Sequence, residues 1–189
     1  MSRSINTLKA MLNKMAPAAK LTKLGDVIND LITAVNSLCF GVITAATLCI
    51  KAGGSAVVKS STAIICRVNG LTVTKTADTD MAALVGTLAT LKYAAWAFYV
   101  DSAGTMTTSA KTADSTSSAA AIALLPAVPA GKLQVGYIVV YNGTAADFVG
   151  GTTALDAALL VVTYVNTPVS PLYDNTFTTA MPIANLSER

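Results

Sequence analysis

Carboxylates carry whatever acid–base chemistry this 189-residue chain can do, because it contains no histidine. That removes the usual base for a serine or cysteine nucleophile, and the commonest metal ligand. Of the 10 acidic residues all are aspartates except Glu188. The closest pair is Asp78 and Asp80 in TADTD. On a strand both would aim to one side, where they could hold a hard cation or act as a glycosidase-like pair. The competing reading is a hydrated turn that opens the next segment. Asp101, in YVDSAGT, reads as a turn aspartate bonding its own backbone.

The remaining chemistry-bearing patterns are thin. Cys39, Cys49 and Cys66 are odd in number and have no CxxC spacing, which reads as free, buried thiols made in a reducing compartment. Gly131-Lys132 is followed by Leu133 and lacks the upstream glycine of a phosphate loop. Gly150-Gly151-Thr152-Thr153 either offers amides to an anion or makes a tight turn. The sequons at Asn142 (NGT) and Asn185 (NLS) matter only on a secretory route. The expectation is no enzyme, no cofactor and no metal.

The elements that would position these residues come from a chain poor in charge. Charged residues are 12%, hydrophobic residues 53%, and the mean hydropathy is +0.58. Alanine and threonine dominate, and such small residues suit flat sheets and close packing between copies. The net charge of +3 is too small to argue nucleic-acid binding. It is unevenly placed: no acid precedes Asp26, whereas Arg3, Lys9, Lys14, Lys20 and Lys23 do. Ile5, Leu8, Leu12 and Met15 share one helical face, giving a basic amphipathic helix over residues 1–16. Its lysines either face water or engage a membrane surface, nucleic acid or an acidic protein shell. The start lacks the pattern of a secretory signal, and its acid-free amphipathic character is also similar to an organellar transit peptide.

After Pro17, Leu21, Leu24, Ile28, Leu31, Val35, Leu38 and Val42 recur at steps of 3 and 4, a heptad series that reads as a helix over residues 21–42. Val27, Ile32 and Ala34 widen its apolar face, as for three helices or a helix on a sheet. Residues 31–50 carry no charge. As one helix they would cover about 30 Å, a bilayer core. Against a membrane span, the heptads begin outside that stretch, and near Ala45 the period changes to two.

From there the chain reads as strands and turns. Ala46, Leu48, Ile50 and Ala52 alternate, and Gly53-Gly54 turns the chain. Asn69-Gly70 joins strands over 62–68 and 71–76 as a hairpin. Residues 93–101 set Trp96, Phe98 and Val100 on one side; residues 132–141 set Leu133, Val135, Tyr137, Val139 and Tyr141 on one face. Residues 109–121 read as an exposed connection, 153–159 as a short helix capped by Thr153, and 160–165 as a last strand. Pro126 and Pro129 restrict the approach to Lys132. Residues 168–189 read as an extended tail. The expected fold is mainly β, a sandwich-like unit over 44–167, preceded by an N-terminal α-helical oligomerisation and docking arm over 1–43.

Three segments, VNGLTVTKTADTDMAAL, AFYVDSAGTMTTSAKTA and LLPAVPAGKLQVGYIVVYNGTAADFVGGTTALDA, resemble tailed-bacteriophage virion structural proteins. The likeness spans roughly residues 45–165 and consists of turns and strands. It implies a capsid-decorating or head-fibre subunit, homo-oligomeric and often trimeric, in a virion assembled in the bacterial cytoplasm. On that reading Leu21, Leu24, Ile28, Leu31, Val35, Leu38 and Val42 form the oligomer seam. Arg3, Ile5, Leu8, Lys9, Leu12 and Lys14 dock on the particle, against the major capsid protein or another virion protein. Neither nucleic acid nor membrane is expected as a partner. The alternatives are a tail, baseplate or fibre adhesin that touches the host surface through residues 109–121, and a single-span membrane protein.

Overall fold

The chain divides into two compact units, Met1–Leu38 and Cys39–Arg189. The computed structural model describes residues 40–170 and, in the first unit, Asp26 alone. The basic helix over 1–16, the seam positions Leu21 to Leu38 and the tail beyond 170 lie outside the described residues.

The described body is mainly β, built from several antiparallel sheets. Its strands are β1 (Gly41–Thr44), β2 (Leu48–Ile50), β3 (Val58–Ser60), β4 (Ile64–Val68), β5 (Leu71–Lys75) and β6 (Thr79–Asp80). Then follow β7 (Thr87–Leu88), β8 (Lys92–Asp101), β9 (Met106–Thr108), helix α1 (Ser118–Ala123), β10 (Lys132–Asn142), β11 (Phe148–Val149) and β12 (Leu160–Asn166). The largest sheet has the order β12-β10-β8-β9; the others are β1-β4-β5, β2-β3-β6 and β11-β7.

Alternation in β8 explains the core. Ala94, Trp96, Phe98 and Val100 point to one side and are buried together with Val58, Ile64, Val68, Leu88 and Phe148. Trp96 meets Phe148 edge-on, with ring centroids 5.9 Å apart, and its indole N–H donates to the Val85 carbonyl at 3.0 Å. A buried tryptophan thus keeps its polar atom satisfied. The hairpin at Asn69-Gly70 forms as its residues dictate. Both have positive φ, 52° and 77°, as a two-residue loop of the primed type requires.

Four expectations change on contact with the tertiary structure. Val42, last of the heptad series, lies in β1 and is buried, paired with Cys66 across the sheet. A short β-branched run such as GVIT fits a pleated core as well as a helix, and the partner strand β4 decides. With strands at Gly41–Thr44 and Leu48–Ile50, residues 31–50 are not one spanning helix. Among the described residues no helix is long and apolar enough to cross a membrane.

The face expected on residues 132–141 is divided. The ladder between β8 and β10 shifts register between Gln134 and Gly136. Leu133 and Val135 therefore face the main core along with Ile138 and Val140, whereas Tyr137 and Val139 face the other side, against Ala95 and Ala121. A bulge adds one residue, and one residue exchanges the faces.

Residues 153–159 make turns instead of a helix. The Val149 N–H donates to Thr153 Oγ1, Leu155 enters the core, and both Asp156 oxygens accept from the Gly54 N–H. Side chains committed to distant partners outweigh a single helical turn that cannot nucleate alone.

Residues 109–121 are not a free connection. Backbone bonds tie Ser109 to Ala97, Thr112 to Ala95 and Ser115 to Tyr93. Residues 118–123 form α1, where the Ser117 side chain caps the Ala120 N–H.

Gly136 carries a sharp prediction. A Cβ there would lie 2.6 Å from Leu48 Cδ1 and 2.6 Å from the Val165 carbonyl oxygen. The second atom is backbone and cannot rotate away. Gly136→Ala should cost about 1–3 kcal/mol of stability, as overpacking does, read as a lower urea midpoint with Trp96 fluorescence as the signal.

Candidate functional site: the charged turns and the apolar groove

The aspartates that invited a chemical reading are individually neutralised. Asp78 sits at φ 63° just ahead of β6, and Lys59 Nζ donates to its Oδ1 at 2.6 Å. Asp80 takes Lys51 Nζ at 2.5 Å, and its backbone pairs with Lys59 across β3 and β6. The hydrogen bond from Lys59 to Asp78 holds the Lys59 amine above its ordinary pKa. Two exposed ion pairs of this kind make a hydrated strand edge. Among the described residues no three Cys, Asp or Glu side chains come together as a metal site.

Asp101 is a structural corner between β8 and β9. Its Oδ1 accepts the Ala103 N–H at 3.0 Å and the Thr105 N–H at 2.8 Å. The Thr105 N–H above all, joined by that of Ala103 against a smaller effect of burial, keeps this carboxyl below the usual aspartate range. This is the local bonding expected from YVDSAGT. Asp114 is held by Lys111 Nζ and by the Ala89 N–H at 3.2 Å. Burial pushes its pKa up, and those bonds more than offset it.

The other candidates are spent on structure as well. Cys66 is buried, and burial pushes its thiol up to about 11, which makes it a poor nucleophile; Cys49 is half-buried. In the Gly150-Gly151 turn, Gly150 donates to the Gly86 carbonyl at 2.9 Å, and the Thr152 and Thr153 amides both donate to Val149. Those amides are not aimed at an anion. Asn142 is fully buried; its amide donates to the Leu88 and Ala146 carbonyls, which closes the NGT sequon to modification in the folded chain.

Sequence reasoning missed a strap of hydroxyls on the sheet edge. The Ala97 N–H donates to Ser109 Oγ and the Ala95 N–H to Thr112 Oγ1, both at 2.9 Å. Ser109, Thr112 and Ser115 return to β8 every third residue, and side-chain oxygens stand in for missing ladder carbonyls. The spacing was visible in SAKTADS, but a period of three in a Ser/Thr-rich run matches neither helix nor strand templates.

A groove of about 860 Å³ lies beside the β10 bulge, lined by Phe40, Val128, Pro129, Leu133, Tyr137 and Val165. The Pro129 carbonyl accepts the Lys132 N–H at 3.1 Å, with Gly131 at φ 74°, so the PAGK turn forms one wall. Lys132 Nζ on this rim is already bonded to Thr107 Oγ1 at 2.9 Å, and Asn166 Oδ1 accepts the Leu48 N–H. What remains is apolar surface suited to contact, without a nucleophile or a free carboxylate. Of the residues assigned to seam and docking, only Val42 is described, and it belongs to the core. Arg3, Ile5, Leu8, Lys9, Leu12, Lys14 and the six seam positions from Leu21 to Leu38 lie outside the described residues.

Two outcomes follow. Thr112→Val keeps the shape but orphans the Ala95 amide. It should cost about 1–3 kcal/mol and speed hydrogen exchange at Ala95. The depressed Asp101 pKa adds stability above the unfolded value of roughly 3.9, and that contribution is lost as pH falls through the lower folded value. Asp101→Asn should therefore flatten the acid limb of a stability-versus-pH curve; an unchanged limb would show that this carboxylate is not linked to folding.

Comparison with known proteins finds no matching family model, no matching curated protein and no matching solved structure.

Proposed function

We propose that the chain is a non-enzymatic virion structural protein of a tailed bacteriophage, self-associating as a homotrimer and bound to the particle surface as capsid decoration or head-fibre subunit. On this proposal a sandwich-like β unit is carried on an N-terminal α-helical arm. One observation carries it. In the described body Asp78, Asp80 and Asp114 are held in ion pairs and Asp101 and Asp156 in turn bonds, while large apolar side chains stand exposed. Leu71, Val85, Leu91, Leu124, Leu159 and Val161 are each more than half exposed. Such a surface favours cover by other chains over catalysis in solution. The segments that carry the resemblance coincide with the β4–β5 hairpin, the Asp101 corner and the PAGK turn, all features of architecture.

In this reading the six seam positions from Leu21 to Leu38 join the copies, Val42 being part of β1, and Arg3, Lys9 and Lys14 meet an acidic shell. Many weak contacts are multiplied by avidity. The adhesin alternative depends on residues 109–121 as a free host-binding loop. Their fastening to β8 favours the decoration role. Deleting residues 1–38, which leaves β1 whole, should abolish both trimerisation and binding to particles while Trp96 fluorescence stays native. Retained particle binding by the deleted chain would sink the docking role.

A further inference from the structure

The four-stranded sheet ends on an edge unlike the others. β12, LVVTYVN, is seven residues long, uncharged and free of proline, and among the described strands it pairs only with β10. Gly143 N–H donates to the Leu159 carbonyl and Thr167 N–H to the Val135 carbonyl. The set facing β10 is therefore 159, 161, 163, 165 and 167. Val162, Tyr164 and Asn166 turn their N–H and C=O groups the other way. On that far side the Leu160 N–H donates to the Ala157 carbonyl at 3.0 Å, while among the described residues no backbone hydrogen bond reaches the outward groups of Val162, Tyr164 and Asn166.

Other edges are blunted. β9 has three residues and β6 has two, β1 receives the Ser170 N–H at 2.8 Å, and β5 ends in Lys75. Natural sheets blunt long edges with charge, proline or cover, because a bare edge is a template for another strand. Among the described residues β12 has neither charge nor proline and is covered only at Leu160, and its outward side chains Val161 and Thr163 are exposed.

We infer that β12 is an interface between two copies of this chain, which pair antiparallel about a two-fold axis at Thr163. Full overlap of residues 160–166 requires that register. It sets Val162 opposite Tyr164 of the partner subunit in a hydrogen-bonded pair, Val161 opposite the partner's Val165, and Thr163 opposite the partner's Thr163. A strand without charge is self-complementary in this arrangement: no like charges meet, apolar meets apolar, and a Thr–Thr pair is favourable. A partner of opposite charge has nothing on this strand to recognise. The result is a continuous eight-stranded sheet across two copies. This contact depends neither on the virion reading nor on the seam at residues 21–42.

The test is light scattering on the full chain. Thr163 is exposed, and Thr163→Lys would place two ammonium groups on directly opposed residues about 4.5 Å apart at Cα. T163K should reduce the assembly mass at least twofold relative to the unaltered chain, as should T163E and, at a second exposed position, V161K. Native Trp96 emission confirms folding in each. A 1:1 mixture of T163K and T163E should regain the original mass, because opposite charges then face one another. An unchanged mass for T163K, or a mixture that stays at the reduced mass, overturns the proposal. Loss of trimerisation through the N-terminal arm would instead appear in the deletion of residues 1–38 and leave this charge-swap result intact.

Discussion

The antiparallel pairing of Lys92–Asp101 with Lys132–Asn142 governs nearly everything else in the described body. These are its two longest strands, and they run side by side with a single interruption at Gln134/Gly136. One face of the pair takes Trp96, Phe98, Val135, Ile138 and Val140 into the main core. The other takes Ala95 and Val139 under α1, with Tyr93 and Tyr137 packed alongside. The bulge lets one β10 strand serve both faces. It brings Leu133 and Val135 to the core side, and beyond it returns the tyrosines to the outside. The close approach of Leu48 and the Val165 carbonyl is possible only because position 136 has no side chain.

Small residues and hydroxyls make that arrangement economical in charge. Alanines at 94, 95 and 97 are fully buried, their small side chains leaving room for neighbours on both faces of β8. Ser109 and Thr112 close the far edge of β8 with side-chain oxygens, so buried amides are satisfied without a regular strand. The lysine–aspartate pairs stay at the periphery, on β3, β6 and the loop before α1. The chain spends its few charges on corners and edges. It also leaves apolar side chains such as Leu71, Leu91 and Leu159 facing outward.

Much of the architecture was legible from residue types. The Asn69-Gly70 hairpin, the Asp101 corner and the last strand are local: each is decided within a few residues by backbone preference or by a short-range hydrogen bond. The elements that differed were those whose outcome lies with a distant partner. Val42 follows β4, Thr153 and Asp156 answer to Val149 and Gly54, and the 109–115 strap answers to β8. The candidate site shows the same division. Asp101 was legible as a turn residue and Asp78 does lie in a turn, but Asp80, expected in the same turn, belongs to β6, and the groove at Phe40, Val128 and Tyr137 joins segments far apart in the chain.

The sequence by itself determined a charge-poor chain without histidine, rich in strands and turns, because composition and nearest-neighbour backbone preferences act before any fold exists. Only the tertiary structure decided which face each β10 residue presents, which aspartate meets which lysine, and which strand edge is left bare. Register, bulges and edges are properties of pairs of strands, and no strand specifies its own partner.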